Sequence, residues 1–189
     1  MTLYRSIMID PPWNEQGAGK VKRGADRHYP LLKTEEIITT IRKSGVFTPD
    51  PTGAHLYLWV TNNFLPDGLR VMAALGFRYI TNLVWIKDRY GLGQYFRGQH
   101  ELILFGVQGS LMTANRETPT VISERKRGHS RKPGAIYSVI EKASLPPRLE
   151  MFARDRREGW DIWGNEIIAS AQSLLALESL ERNEEVGSC

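Results

Sequence analysis

The sequence predicts an α/β domain built on a mostly parallel sheet, and three observations point there. Short apolar runs that read as strands alternate with segments of helical period. The 189 residues, 41% of them hydrophobic and five of them Trp, amount to one ordinary domain with a substantial core. Asp10, Lys87 and Arg154 each follow an apolar run, which sets them along one carboxyl rim, where open α/β sheets bind ligands.

The elements follow in order. Ser6–Ile9 is a short buried strand, stopped at Asp10-Pro11-Pro12 because neither proline can donate to a strand ladder. Residues 14–33, rich in Gly, Lys and Arg, form a long loop, and a loop of that length in a compact domain is often functional. Thr34 caps a helix through Glu35, Ile37, Ile38 and Ile41, with Ser44-Gly45 as its stop. His55–Val60 is a second strand, Pro66–Leu75 a helix closed by Gly76, and Tyr79–Ile86 a third strand. Lys87–Gly98 is a loop, Glu101–Val107 a fourth strand, and 113–132 a basic loop. Pro133 suits the first turn of a helix through Ile136, Val139, Ile140 and Ala143. Arg148–Ala153 and Trp160–Trp163 complete the strands, and Ile167–Arg182 is an amphipathic helix carrying Leu174, Leu175, Leu177 and Leu180. The expected division is one domain over 1–168, with 169–189 as a C-terminal helix and frayed tail.

Composition narrows the function classes. No apolar run approaches membrane-span length, and Met1–Asp10 lacks the basic start and cleavage site of a signal peptide. The only cysteine is Cys189, so neither an internal disulfide nor a Cys-based zinc site can form, as suits a reducing cytoplasm. His28, His55, His100 and His129 show no ligand spacing, so no metal is implied; His55 and His100 sit at strand starts and read as structural. The formal charge is +4, and all of it resides between Arg116 and Pro133, where six cations face Glu117 and Glu124. A second basic stretch runs Lys20-Val21-Lys22-Arg23, followed by Arg27 and His28. A third interleaves Lys87, Arg89 and Arg97 with Tyr90, Tyr95 and Phe96. One such cluster would read as a solvated face; three, each in a loop of one small domain, favour nucleic acid.

The sharpest motif is Asp10-Pro11-Pro12-Trp13, directly after Ile7-Met8-Ile9. It matches what the exocyclic amine of adenine needs in order to act as a nucleophile. That nitrogen's lone pair is delocalised into the ring. An acceptor on each of its two N–H bonds draws it towards sp³ and returns density to the lone pair. Asp10 supplies one acceptor through its carboxylate and Pro11 the other through its carbonyl. Trp13 offers a flat face to the base, a contact worth roughly 1–3 kcal/mol. The bland alternative is a strand-terminating turn with Trp13 packed in the core.

With these residues the chain resembles the D-P-P-W branch of adenine-N6 methyltransferases, which includes the catalytic subunit of the eukaryotic mRNA adenosine methyltransferase and many bacterial and phage DNA enzymes. The resemblance runs from about Ile7 to Glu166 in seven ordered blocks: Met8–Trp13, Leu56–Val60, Leu83–Lys87, His100–Gly106, Arg131–Tyr137, Arg148–Arg154 and Gly159–Glu166. It implies a Rossmann-like fold that uses S-adenosylmethionine (SAM), with the target-amine motif ahead of the main cofactor segment, a permuted, beta-class-like order. That order agrees with the lack of a G-x-G-x-x-G fingerprint, which also argues against an NAD enzyme.

Residue by residue, the resemblance places Asp10, Lys132, Glu150, Phe152, Arg154, Asn165 and Glu166 at the cofactor. Lys132 is expected to pair with the cofactor carboxylate, and Asn165 and Glu166 to hydrogen-bond its ribose or adenine. Tyr29 and Glu101 match positions flanking the methyl-transfer centre. Lys87 is expected at the substrate base or a phosphate, and Arg125, Lys126 and Arg127 at the polymer. The chain departs from eukaryotic members in two places. It starts too close to Asp10 to hold the segment that contacts the cofactor adenine there, and Arg156-Arg157 stand where those members have His-Asn. Contacts to the adenosine end are therefore not carried over. The expectation is an active SAM-dependent nucleic-acid adenine methyltransferase, DNA ahead of RNA, cytoplasmic and nucleoid-associated when bound, with a homodimer or partner subunit left open and no membrane role. The alternatives are a non-catalytic nucleic-acid-binding subunit and a methyltransferase for a small amine or free nucleotide.

Overall fold

The computed structural model describes residues 1–14, 31–91, 95–125 and 132–164. Within them the chain forms β1 (Ser6–Ile9), α1 (Thr34–Lys43), β2 (Gly53–Val60), α2 (Leu65–Ala74), β3 (Arg78–Ile86), β4 (His100–Gly109), β5 (Val121–Ser123), α3 (Ala135–Ala143), β6 (Arg148–Met151) and β7 (Asp161–Trp163). The seven strands make one sheet in the order β5-β3-β4-β2-β1-β6-β7. β1 pairs in parallel with both β2 and β6, β6 with β7, and β3 with β5. β4 alone runs against its neighbours β2 and β3. The mostly parallel α/β sheet expected from sequence is therefore the observed architecture.

Strand residues alternate between two cores, which explains why the strands read as unbroken apolar runs. Ile7, Ile9, Leu56, Leu58 and Val60 join Ile37, Ile41, Val71 and Met72 of α1 and α2 on one face. Met8, Tyr57, Trp59, Trp85 and Ile103 join Ile136 and Ile140 of α3 on the other. Helix α2 lies close enough to the sheet that a Cβ at Gly68 would meet Val60 Cγ1 at 2.4 Å. From β1 the chain proceeds to β2 on one side and, much later, to β6 on the other. The carboxyl ends of β1 and β6 thus flank a switch point, the usual place for a ligand in such sheets.

Four local expectations are corrected. Lys33, not Thr34, occupies the position before α1, and Glu36 reaches back to accept its N–H at 2.7 Å; the Thr34 hydroxyl instead donates to Asp67 at 2.7 Å. Pro133 precedes α3 rather than lying in its first turn, because Glu124 takes the amide hydrogens there. The basic loop contains β5, whose Ile122 is buried against β3. Strand β6 stops at Met151, where Phe152 turns into the left-handed region at φ 61°. The tail helix, and with it the division at 169–189, lies outside the described residues. Among the described residues no helix is long and apolar enough to cross a membrane.

Candidate active site

The site lies on the rim formed by the carboxyl ends of the parallel strands. Asp10 follows β1 and Lys87 follows β3. β4 runs the other way, so its first residues return to this rim, and Glu101 sits opposite Trp85. The cation completing the group is Lys132, brought over by the approach to α3.

These four side chains form a row of alternating charge. Lys132 Nζ is 2.9 Å from Asp10 Oδ1 and 3.2 Å from Glu101 Oε2, and Lys87 Nζ donates to Glu101 Oε1 at 2.5 Å. Two tryptophans, from the ends of β2 and β3 on either side of β4, make the floor. Lys132 lies 4.8 Å from the Trp59 ring centroid and Lys87 5.2 Å from that of Trp85. The two indoles meet edge-on at 6.2 Å. Burial works against charge on both Lys132 and Glu101, but the pairing prevails. Asp10 and Glu101 raise the Lys132 pKa, and the ammonium groups of Lys132 and Lys87 hold the Glu101 carboxyl below its ordinary range.

The D-P-P-W motif is tied down on every side. Trp13 N–H donates to the Pro11 carbonyl and Leu32 N–H to that of Pro12, each at 2.9 Å. The Pro11 carbonyl expected to receive the target amine therefore already accepts one hydrogen bond and keeps a second lone pair for another. Trp13 corrects the sequence reading more sharply. Its ring is 6% exposed and stacks on Phe64 at 5.5 Å, and its Nε1 donates to the Trp59 carbonyl at 2.9 Å. It anchors the motif to the end of β2 and does not present an open platform to a base.

Beside this row lies a second buried acid. Glu150, on β6 next to Met8 of β1, accepts the Tyr137 hydroxyl hydrogen, 3.1 and 3.0 Å from its two oxygens. Burial, with nearby Asp10 and Asp155 adding, pushes the Glu150 carboxyl up to about 7 despite that hydrogen bond. Phe152, expected at the cofactor, has its ring edge-on to Trp163 at 5.4 Å. Arg154 is half-buried beyond β6, and Arg125 is exposed beyond β5. Tyr29, Lys126, Arg127, Asn165 and Glu166 lie outside the described residues. So the structure brings Asp10, Lys87, Glu101 and Lys132 into one contact network with Glu150 nearby.

Sequence reasoning missed several contributors. Glu124 accepts the backbone hydrogens of Gly134 and Ala135 at 3.1 and 2.8 Å, and its carbonyl accepts Trp85 Nε1–H at 2.9 Å. A carboxylate at a helix N-terminus is favourable in itself, and this one fixes the chain two residues from Lys132. No sequence signal marks it beyond its place at the head of a basic run. Trp59 and Trp85 did carry a signal, each being the penultimate residue of its strand.

The residues present suit SAM. Its amino-acid end carries a carboxylate and an ammonium, for which Lys132 and Asp10 are charge partners, and Glu150 can accept from a hydroxyl or amine. Trp59 Nε1 and Thr61 Oγ1, at the same end of β2, are buried without a hydrogen-bond partner among the described residues, so polar capacity remains unfilled there.

The family model described as MT-A70 matches residues 4–166. The chain is 27% identical over 185 residues to the type II methyltransferase M.MunI from a Mycoplasma species, spanning 87% of this chain and 78% of that protein. It is 28% identical over 178 residues to a probable N(6)-adenosine-methyltransferase MT-A70-like protein of Oryza sativa, spanning 85% of this chain but 22% of the rice protein. With the human N(6)-adenosine-methyltransferase catalytic subunit METTL3 it shares 27% identity over 176 residues, 87% of this chain and 28% of that one. The chain thus spans most of the bacterial relative and about a quarter of the adenosine-named ones.

Proposed function

The chain belongs to the MT-A70 family, and from that premise we propose that it transfers a methyl group from SAM to the N6 amine of adenine in nucleic acid, with DNA as the polymer. The observation that carries the reading is Asp10, set at the carboxyl end of β1 and held by Lys132 at 2.9 Å on a rim where the neighbouring strands also end.

Bound SAM supplies a methyl group already activated as a sulfonium substituent. No strong base is needed before attack, and positioning of the amine provides most of the acceleration. Lys132, Asp10 and Glu150 hold the cofactor, joined by Arg154, Asn165 and Glu166 on the family pattern. Lys132 Nζ lies 2.9 Å from Asp10 Oδ1, and a carboxylate has lone pairs enough to accept both the lysine and an amine N–H. The Pro11 carbonyl accepts the second N–H while receiving that of Trp13. Formation of the N–CH3 bond would break the S–CH3 bond, release the cofactor as the neutral thioether S-adenosylhomocysteine, and leave on the amine nitrogen a positive charge that is relieved by loss of one proton. Asp10, already hydrogen-bonded to it, takes that proton and passes it to water. Lys87, Glu101 and Arg125 serve the polymer, and the family pattern and basic loop assign Tyr29, Lys126 and Arg127 to the same role.

DNA is favoured by the likeness to the Mycoplasma type II methyltransferase, 78% of which the match spans. In a duplex the amine is engaged in pairing, so such a substrate must be flipped out. The single cysteine, Cys189, suits a reducing cytoplasm. The test is transfer of labelled methyl to single- and double-stranded DNA and RNA, with Asp10→Ala alongside. Label on N6 of adenine in DNA, lost in the variant, is expected. Label on RNA alone overturns the polymer, and absence of both transfer and SAM binding overturns the enzyme in favour of a nucleic-acid-binding subunit.

A further inference from the structure

The loop from β3 to β4 has a composition that neither the fold nor the charge row uses. It continues the hairpin beyond the sheet, since Lys87 N–H donates to the Gln99 carbonyl at 2.8 Å and Gly91 N–H to that of Gly98 at 2.6 Å. Its feet are Lys87 and, just past Gln99, Glu101, so it rises from the reacting rim itself. Three large aromatics stand on it almost bare: Tyr90 is 71% exposed, Tyr95 93% and Phe96 90%. Single exposed aromatics are ordinary, but three within seven residues make a patch that calls for a partner. The charge around them selects that partner. Arg89 and Arg97 are both exposed, and with Lys87 they outnumber the one acid of this segment, Asp88. Rings with cations beside them match the faces of unpaired bases and the phosphates that link them. Trp13, being buried, cannot serve as that surface.

We propose that Tyr90, Tyr95 and Phe96, with Arg89 and Arg97, form a stacking platform for unpaired nucleotides beside the target adenine. This rests on the nucleic-acid reading of the site and adds to it where the strand runs: along Tyr90, Tyr95 and Phe96, past Lys87, to Asp10. It gives the strand next to the target base a place to lie while that base is at the motif.

The test uses the full chain with Tyr95→Ala/Phe96→Ala, Tyr95→Leu/Phe96→Leu and Arg89→Ala/Arg97→Ala pairs. Binding of a fluorescent single-stranded oligonucleotide containing one adenine is followed by anisotropy, SAM binding by calorimetry and molar mass by light scattering. Loss of the two rings should weaken oligonucleotide binding about tenfold or more, with SAM affinity and mass unchanged. The leucine pair should be as weak as the alanine pair, because the platform needs flat rings and not mere apolar bulk. The arginine pair should reduce the slope of log K against log salt by about one to two. Unchanged oligonucleotide affinity, with wild-type methyl transfer intact, overturns the platform and leaves the methyltransferase reading standing. A fall in molar mass in the ring variants overturns it too, since the patch would then be a protein contact. A wild-type chain that binds no oligonucleotide at all overturns both.

Discussion

The two ends of β2 carry polar networks of opposite kind. At its start His55 is fully buried; Nδ1 lies 2.6 Å from Ser144 Oγ, which lies 2.7 Å from the Tyr57 hydroxyl, and Nε2 is 3.0 Å from the Leu111 carbonyl. That carbonyl can only accept, so Nε2 bears the hydrogen and the chain runs from Tyr57 through Ser144 to Nδ1. Burial lowers the His55 pKa and keeps the ring neutral. At the far end Trp59 underlies Lys132 and the row from Asp10 to Lys87, whose side chains are 16–22% exposed. The neutral network is sealed and internally satisfied. The charged one is reached by solvent, and every member can exchange its partner for a charged group on a ligand. Burial of polar groups therefore does not by itself mark function; a replaceable charged partner at an open rim does.

The strongest way to break this comparison is Asp10→Ala. Methyl transfer should fall by at least about 10²–10³-fold, while the melting temperature changes little because Lys132 keeps Glu101 at 3.2 Å; a variant that simply unfolds would make the rim a structural element after all. His55→Ala should do the reverse. It strands the Ser144 hydroxyl and the Leu111 carbonyl and opens a cavity, at a cost of about 2–4 kcal/mol in urea unfolding. SAM affinity in the folded protein should stay the same, and a large loss would show that the two ends are coupled.

Glu150→Gln sharpens the comparison through pH. The Glu150 carboxyl is raised to about 7 in the folded protein, so its favourable contribution is full below the unfolded value near 4.5 and is lost as pH rises through 7. Relative to wild type, the glutamine variant should gain about 2–3 kcal/mol of unfolding free energy between pH 5 and 8. A difference independent of pH would show that the acid is not held protonated. The smallest effect belongs to Glu124→Ala, which removes the acceptor for Gly134 and Ala135. It should cost about 1 kcal/mol of stability and weaken SAM binding roughly fivefold, with partial recovery in Glu124→Gln; full SAM affinity would show that Lys132 needs no support from that side.

Much of the frame could be read from residues alone. Ser6–Ile9 ends where its two prolines require, and both faces of β2 are buried, so it runs hydrophobic from Leu56 to Val60. β5 escaped notice because three residues in a charged loop show no period, and the reversal of β4 because direction leaves no trace in hydrophobicity. The site divides similarly. Asp10 and Lys132 were each identifiable by motif, but a contact between residues 122 positions apart follows only from β1 and the start of α3 meeting at one rim. Trp13 was misjudged because a flat ring beside a motif looks the same in sequence whether it faces a base or Phe64.

The reversal of β4 has a consequence for how such an enzyme can diversify. The other described strands that end at the reacting rim must send the chain back across the sheet before it can pair again, so their loops are bound to the crossover that follows. β3 leaves the rim at Ile86 and β4 starts back from it at His100 as its antiparallel neighbour. The link between them can lengthen, shorten or change its rings without moving a helix or altering a register. On the proposed platform, Arg89, Tyr90, Tyr95, Phe96 and Arg97 are thus where substrate choice could be rewritten while Asp10, Lys132 and Glu101 stay where they are.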